Sequence, residues 1–398
     1  MNILQITKKF PWPVKDGEVI GIFNLTSGFA GLGHDVTVLS LNTNKHYFPV
    51  NKLPENVGKL AQFEAVDINT DVKAVDAFLN LFTDKSYNIE RFYSEAFEQK
   101  IAETLDKGSF DLILLEGIYL MRYIDVIRKH TKAKVALRPH NVEFVIWERL
   151  CNTETNWFKK QYLRLLASRI KKFELTHINL ADVLVPVSAA DLDIFRSYGC
   201  NVPGMAFAIG YAFDNLPEID EHEENAVAFI GGMDWIPNRE GIDWFIDKVW
   251  PKVTEQIPDA KFYLAGRNFP EEIKNLKVKG LVVVGEVDNA REFILSKSIS
   301  IAPLFAGSGM RVKIVEAMAL GRAIISTSIG AESLAYTNDN DILVADDAGP
   351  FTHAVIELLT DRNLRLSLGK NAQQRVRDKY DNRKICAELL DFCKPYLS

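Results

Sequence analysis

Short runs of consecutive apolar residues recur along the whole chain and alternate with segments of helical periodicity. Strands buried on both faces are apolar on successive residues, which is typical of parallel sheets covered by helices. The runs predict strands at residues 2–6, 36–41, 112–115, 135–137 and 183–187, and then, where the same pattern restarts, at 226–230, 261–264, 281–284, 299–302, 323–326 and 342–344. This pattern predicts an α/β chain with two domains, each built on a parallel sheet.

The length of 398 residues also favours two domains over one. An acidic stretch with one proline, residues 214–224, separates the two sets of strands and is typical of a linker. The sequence predicts an N-terminal domain at 1–212, a C-terminal domain at 213–379, and a helix within 380–398 that packs back on the N-terminal domain. A formal net charge of −6 argues against nucleic acid as a general partner.

The termini and the cysteines predict a cytoplasmic protein. The first apolar run is too short for a secretory signal, and no apolar run is long enough to span a bilayer. The cysteines have neither metal-ligand nor redox spacing, as expected for a reducing compartment; they are Cys151, Cys200, Cys386 and Cys393.

The strongest indication of chemistry lies in residues 306–321, which read A-G-S-G-M-R-V-K-I-V-E-A-M-A-L-G after a predicted strand. Gly307 and Gly309 allow a close approach to a ligand, and the start of a helix presents N–H groups suited to phosphate. Arg311 and Lys313 add positive charge there, and Glu316 shares a helix face with Lys313. The segment can hold a diphosphate and a ribose. An ordinary helix start with a Lys–Glu surface pair is the alternative.

This segment, together with residues 322–327 and 330–332, resembles the signature of glycosyltransferase family 4. Members of that family are retaining enzymes of the GT-B fold, with two Rossmann-like domains whose parallel sheets face across a cleft. The family pattern has two glutamates separated by seven residues, the first for the donor sugar and the second for the ribose. Glu316 matches the second, whereas Ser308 stands at the first position. We therefore expect Ser308, Gly309 and Met310 to hold the sugar.

Two polar residues follow predicted strands of the first domain, where ligands of such sheets bind. His140 lies in R-P-H-N-V-E, and the resemblance implies that it reaches the donor sugar. A neutral histidine that satisfies loop backbone groups is the alternative. Glu116 ends the strand L-I-L-L-E, where it contacts an acceptor or supports a loop.

The resemblance assigns four further residues to ligand contacts. Gly17 and Asp16 match the first glycine-rich loop, with Gly17 at the donor and Asp16 at the acceptor, although Glu18 replaces the usual second glycine. Arg239 matches a diphosphate clamp, with a solvated helix residue as the alternative, and Val287 follows the strand whose turn contacts the base.

The resemblance thus implies a retaining glycosyltransferase, active in bacterial polysaccharide or glycolipid assembly. It moves a sugar from a nucleoside-diphosphate sugar to a hydroxyl of a carbohydrate or lipid-linked acceptor. Its catalytic residues are His140, Lys313 and Arg311, and it needs no metal or cofactor. The missing glutamate leaves open a non-catalytic nucleotide-sugar-binding protein. The fold leaves open a sugar-nucleotide epimerase.

Two more segments have interpretations of their own. Asp191 and Asp193 form a D-x-D pattern inside a predicted helix that begins after Ser188, and we expect them to be surface charges. Residues 157–173 combine six basic residues with apolar residues at helical spacing. We expect the apolar face of that helix to lie in the core. The alternative is peripheral docking on the anionic inner membrane face.

Overall fold

The computed structural model describes residues 1–14, 16–212, 224–306, 311–332 and 334–397. The chain forms two compact units. Unit 1 comprises Met1–Gly210 and Asn382–Ser398, and unit 2 comprises Tyr211–Asp381. The sequence places these boundaries at 212/213 and 379/380. The predicted linker at 214–224 lies outside the described residues except for its last residue, which begins a strand.

Unit 1 contains a parallel sheet of six strands within the described residues, in the order β3-β2-β1-β4-β5-β6. The strands are β1 (Asn2–Thr7), β2 (Asp35–Thr43), β3 (Gln62–Ile68), β4 (Leu112–Glu116), β5 (Lys134–Arg138) and β6 (Val183–Leu184). The helices are α1 (Gly17–Gly31), α2 (Glu55–Gly58), α3 (Ala74–Asn80), α4 (Tyr87–Glu90), α5 (Glu95–Lys107), α6 (Ile124–His130), α7 (Glu143–Thr153), α8 (Trp157–His177) and α9 (Ala189–Ser197).

The C-terminal helix of the chain, α18 (Asn382–Cys393), belongs to unit 1. It buries Ile385, Leu389 and Cys393 in one of the two cores of the sheet. At Gly28 of α1, a β-carbon would lie 2.2 Å from the sulfur of Cys386. The absence of a side chain at Gly28 therefore lets α1 and α18 pack closely.

Unit 2 repeats the arrangement, with six parallel strands in its described part in the order β12-β11-β10-β7-β8-β9. The strands are β7 (Glu224–Ile230), β8 (Phe262–Ala265), β9 (Leu281–Gly285), β10 (Lys297–Ala302), β11 (Ala323–Ser326) and β12 (Leu343–Val344). The helices are α10 (Ile236–Trp244), α11 (Trp250–Gln256), α12 (Glu271–Lys274), α13 (Ala290–Leu295), α14 (Val312–Ala319), α15 (Ser328–Ala331), α16 (Ala348–Thr360) and α17 (Arg362–Lys379). An aromatic cluster of Phe245, Trp250, Phe262 and Phe351 fills its core.

The predicted α/β class with parallel sheets is confirmed, and every predicted strand is present, but β3 is absent from the prediction. Its sequence, Q-F-E-A-V-D-I, forms no apolar run because polar residues interrupt it. The predicted strand 183–187 ends early, since Pro186 has no N–H for pairing. Ser188 caps α9 as predicted, accepting the N–H of Asp191.

The cysteines and the helices complete the description. Cys151, Cys200, Cys386 and Cys393 are all buried, and none of them forms a disulfide. Among the described residues, no helix combines the length and the hydropathy required to cross a bilayer.

Candidate functional site

Both sheets have the strand order 3-2-1-4-5-6 when each is numbered from its own first strand. In such sheets a crevice opens at the carboxyl ends of the strands, where the order reverses. The reversal lies between β1 and β4 in unit 1, and between β7 and β10 in unit 2. Polar residues that follow these four strands are therefore the first candidates in each unit.

In unit 1, a buried polar cluster lies at this edge. Thr7, Glu116 and Arg138 end β1, β4 and β5 at matching register positions, and none is exposed. The Glu116 carboxylate accepts hydrogen bonds from Gln5 Nε2 at 2.7 Å, Arg138 Nη1 at 3.3 Å and His140 Nε2 at 2.8 Å. Burial opposes ionisation of Glu116, but the Arg138 charge and the His140 bond outweigh it and lower the pKa of Glu116.

The cluster determines which nitrogen of His140 carries the proton. An ionised carboxylate only accepts hydrogen bonds, so Nε2 of His140 must be the donor to Glu116. In the neutral imidazole, Nδ1 is then an acceptor, and it has no hydrogen-bond partner within the described part of the chain. The ring packs on α1 at Gly21, where a β-carbon would lie 3.5 Å from its Cε1 atom. His140 is thus held with Nδ1 uncommitted.

This geometry corrects the acceptor contact that the sequence suggests for Glu116. The side chain is completely buried, and both of its oxygens already accept hydrogen bonds within unit 1. Glu116 therefore orients His140 and neutralises Arg138, which is the supporting role left open as the alternative.

The loop before α1 is a network of charges rather than a glycine-rich turn. Asp16 caps α1 by accepting the N–H of Val19, and its second oxygen lies 3.5 Å from Lys9. Gly17 is the first residue of α1. Glu18, at the position of the missing glycine, pairs with Lys8 at 3.3 Å and with Lys9 at 2.9 Å.

The Glu18 carboxylate is ionised in this network. Burial opposes its charge, but the two ammonium groups outweigh burial and hold the pKa of Glu18 well below its usual range. The ligand contacts of Asp16 and Gly17 stay predictions.

A second buried carboxylate positions the helix that follows His140. Glu174 of α8 accepts the backbone N–H groups of Glu143 and Phe144, at 3.2 and 3.0 Å, and so caps the start of α7. Burial, the Glu143 charge and the more distant Asp191 raise the pKa of Glu174 to about 8. Asp191 itself is buried, so the prediction that it is a surface charge is wrong.

In unit 2, the loops after β7, β8 and β9 are joined by backbone hydrogen bonds. Gly231 donates to Ala265, and Gly266 donates to Gly285, at 3.0 and 2.8 Å. Gly266 has a φ of 143°, and a β-carbon there would lie 1.8 Å from the Gly231 carbonyl oxygen. Only glycine fits this position, and the loop that leads to Trp235 is thereby fixed.

The helix α14 presents the charged residues that the sequence singles out. Arg311 is its N-cap residue, and the guanidinium carbon lies 5.3 Å from the centre of the Trp235 ring. Lys313 and Glu316 form an ion pair of 2.8 Å on one face of the helix. Tyr211 lies near Glu316; burial and this carboxylate raise the pKa of Tyr211 to about 12. Arg311, Lys313 and Glu316 thus occupy the first two turns of a helix whose N-terminus favours anions.

The other predicted donor contacts of unit 2 lie on separate elements. Arg239 of α10 forms an exposed 2.6 Å pair with Glu272, which reduces its capacity to attract a diphosphate. Val287 is half-buried and follows the turn at Gly285. Ser308, Gly309 and Met310 lie outside the described residues.

Several residues with a part in these clusters have no assigned role in the sequence prediction, among them Gln5, Arg138 and Trp235. Gln5 interrupts the apolar strand N-I-L-Q-I-T, and an amide within a buried strand is a detectable sign of a polar cluster. The contact of Trp235 with Arg311 joins residues 76 positions apart, and no local pattern predicts it.

Comparison with known proteins is consistent with these features. A family model described as glycosyl transferases group 1 matches residues 224–361. The chain is 26% identical over 291 residues to an uncharacterized 44.6 kDa protein in the cps region of Klebsiella pneumoniae, covering 70% of this chain and 73% of that protein. It is 27% identical over 188 residues to phosphatidyl-myo-inositol mannosyltransferase of Mycolicibacterium smegmatis, covering 45% and 48% of the two chains.

Among solved structures, the fold resembles that of Anabaena Alr3699/HepE, which was crystallised in complex with UDP-glucose. The TM-score is 0.68 at 11% identity, and the match covers 99% of each chain. At this identity the likeness establishes the fold, and with it the GT-B architecture of two Rossmann-like units.

Proposed function

We propose that this chain, which has the GT-B fold and a glycosyl transferases group 1 segment, is a retaining family 4 glycosyltransferase that uses a nucleoside-diphosphate sugar. The acceptor would be a hydroxyl of a growing polysaccharide or of a glycolipid. This range of acceptors is supported by one relative from a cps region and by another named as a phosphatidyl-myo-inositol mannosyltransferase.

The observation that carries the donor assignment is the composition of the α14 N-terminus. Arg311 and Lys313 stand at the N-terminus of α14, the helix that follows β10, and β10 is one of the two strands at the reversal of unit 2. Glu316 lies one turn deeper and accepts hydrogen bonds, as the two hydroxyls of a ribose require. A diphosphate with an attached ribose is the ligand class that satisfies both the cations and the carboxylate. The UDP-glucose complex of a protein with the same fold supports this choice.

The same cations would assist the departure of the nucleotide. As the bond from the anomeric carbon to the phosphate oxygen breaks, negative charge develops on the leaving diphosphate. Arg311, Lys313 and the helix N-terminus stabilise that charge without reorganising. Charge stabilisation of this kind requires no metal ion, so we propose that transfer proceeds without one.

In unit 1, His140 would bind a sugar hydroxyl. Its Nδ1 atom is an acceptor because Glu116 holds the proton on Nε2, so it suits the O–H of a hexose. Gln5 and Arg138 support this arrangement by fixing the Glu116 carboxylate.

The donor assignment is tested by titrating the chain with UDP-, GDP- and ADP-sugars and measuring heat or thermal stabilisation. Replacement of Lys313 by Ala removes a charge-assisted contact to phosphate, so affinity for the preferred nucleotide should fall about 10- to 100-fold. Lys370→Ala, an exposed lysine of α17, is the matched control and should change nothing. Equal affinity in both variants would remove Lys313 from the site.

Product analysis separates the alternatives. Incubation with the donor and a polysaccharide or glycolipid extract, followed by NMR of the new anomeric centre, should show the donor's own anomeric configuration. Binding without any product would indicate the non-catalytic alternative, and a changed sugar still attached to nucleotide would indicate the epimerase. Activity that persists in EDTA is expected, and its loss would contradict the proposed metal independence.

A further inference from the structure

Unit 1 exposes a group of large apolar side chains on α3 and the residues around it. Val72, Val75, Phe78, Leu79 and Phe82 are each more than half exposed, and Phe82 reaches 77%. Phe78 and Phe82 contact one another, ring edge to ring face, at a centroid distance of 5.5 Å. Monomers rarely expose contiguous apolar patches of this kind unless the patch binds something.

The N-terminus of α8 exposes a second aromatic pair. Trp157 is 63% exposed and Phe158 is 79% exposed, with ring centres 4.9 Å apart. The core face of this helix is formed instead by Leu166, Ala167 and Ile170. The prediction that the apolar face of this helix lies in the core is therefore correct for the middle of α8 but wrong for its first turn.

Both aromatic groups lie on one side of α8. Arg169 follows Phe158 by eleven residues. At about 100° per residue, Arg169 therefore lies within about 20° of the helix face that carries Phe158, and it lies about 16 Å further along the helix axis. The Arg169 guanidinium donates to the Asn80 carbonyl at 2.8 Å and to the Leu81 carbonyl at 3.1 Å. It thus fixes the end of α3 on the face that Phe158 shares.

The charge around these side chains is positive although the chain is acidic overall. Residues 157–173 contain no acidic residue and six basic ones: Lys159, Lys160, Arg164, Arg169, Lys171 and Lys172. Three of the six pair with acidic residues outside the segment: Lys159 with Glu154, Lys171 with Glu148 and Lys172 with Asp84. Even with these partners, an excess of positive charge remains along the helix, against a net charge of −6 for the chain.

We propose that this surface, the α3–α8 patch (Val72, Val75, Phe78, Leu79, Phe82, Trp157 and Phe158), docks on a bilayer that contains anionic lipid. Phenylalanine and tryptophan would enter the boundary between headgroups and acyl chains, while the lysines and arginines of α8 contact lipid phosphates. Exposed aromatic residues next to a run of six basic residues without an acidic one match this chemistry, because an anionic surface attracts the cations before the rings insert. Docking goes beyond glycosyl transfer and does not depend on it.

The test is co-sedimentation of the full chain with vesicles of phosphatidylcholine alone and of phosphatidylcholine with phosphatidylglycerol. Binding should require the anionic lipid and should weaken as salt rises. Two substitutions, Phe78→Ser and Phe82→Ser, should lower the partition coefficient at least about tenfold, since the rings no longer leave water. Leu180→Ser with Met205→Ser is the matched control, because both residues are exposed apolar side chains elsewhere in unit 1.

A charge series tests the electrostatic part separately. Changing Lys159, Lys160 and Arg164 together to Gln should weaken binding about 100-fold, at roughly fivefold per cation. The matched control changes Lys107, Lys129 and Lys132 to Gln, three exposed lysines on other parts of unit 1. Circular dichroism checks that each variant is folded.

Three results would overturn the proposal: equal binding to both kinds of vesicle, no binding to either, or equal loss in patch and control variants. A dimer in light scattering that Phe82→Ser and Phe158→Ser convert to a monomer would assign the patch to a second copy of the chain instead. None of these measurements needs a sugar donor, so failure here leaves the proposed transfer reaction untouched.

Discussion

Replacement of Glu116 by Gln tests the buried cluster of unit 1 with little change in shape. The amide fills the same volume but carries no charge, so the Arg138 guanidinium, which is not exposed at all, loses its anion. Removing one partner of a buried ion pair typically costs about 3–5 kcal/mol, because the remaining charge is left without compensation. We expect a loss of that size in the stability of unit 1.

Hydrogen exchange of the β4 and β5 amides measures this loss locally, which is needed because a chain with two units need not unfold in one step. The amides of these strands should exchange at free energies about 3–5 kcal/mol lower in the variant. Glu64→Gln is the control, since Glu64 forms only a partly exposed pair with Lys100 and should cost at most about 1 kcal/mol.

A double substitution separates charge from packing. Adding Arg138→Met to Glu116→Gln removes the uncompensated charge and should recover at least about 2 kcal/mol of the loss, so that the two changes are not additive. A single variant that loses less than about 1 kcal/mol, or a double variant whose losses simply add, would refute the view that this ion pair organises the cluster.

Two further outcomes follow from the structure. Glu174 has a pKa raised to about 8 from the usual 4.5, so the stability that it contributes is complete below pH 4.5 and is lost as pH rises through 8. Urea unfolding should show the wild type losing about 1.4 kcal/mol of unfolding free energy per pH unit, relative to Glu174→Gln, between pH 5 and 8. Parallel pH curves for the two proteins would contradict the assignment. Trp235→Leu removes the ring under Arg311 and should weaken nucleoside-diphosphate binding, measured by calorimetry, about three- to tenfold. Trp235→Phe keeps an aromatic ring and should bind with an affinity close to that of the wild type. Unchanged affinity in the leucine variant would mean that Trp235 does not position Arg311.

Much of the fold is predictable because it depends on local patterns. Buried parallel strands are apolar on successive residues, so eleven of the twelve strands in the described part of the chain coincide with apolar runs of the sequence. At β6 and β12 the observed strand covers only two residues of the run. β3 is missed because Gln62, Glu64 and Asp67 interrupt its apolar residues, so that it forms no apolar run. Helix starts such as Ser188 are predictable because the cap and the capped N–H are only three residues apart.

The same distinction holds for the candidate site. The sequence alone determined that Arg311, Lys313 and Glu316 share the start of one helix, since their spacing of two to five residues is set by helical geometry. Only the tertiary structure decided that Glu116 orients His140 instead of facing a ligand. That role depends on Gln5, Glu116, Arg138 and His140 meeting near the ends of three neighbouring strands, with 22 to 111 residues of chain between the hydrogen-bonded partners. Contacts across such separations are set by strand order and register, which no local pattern of residues encodes.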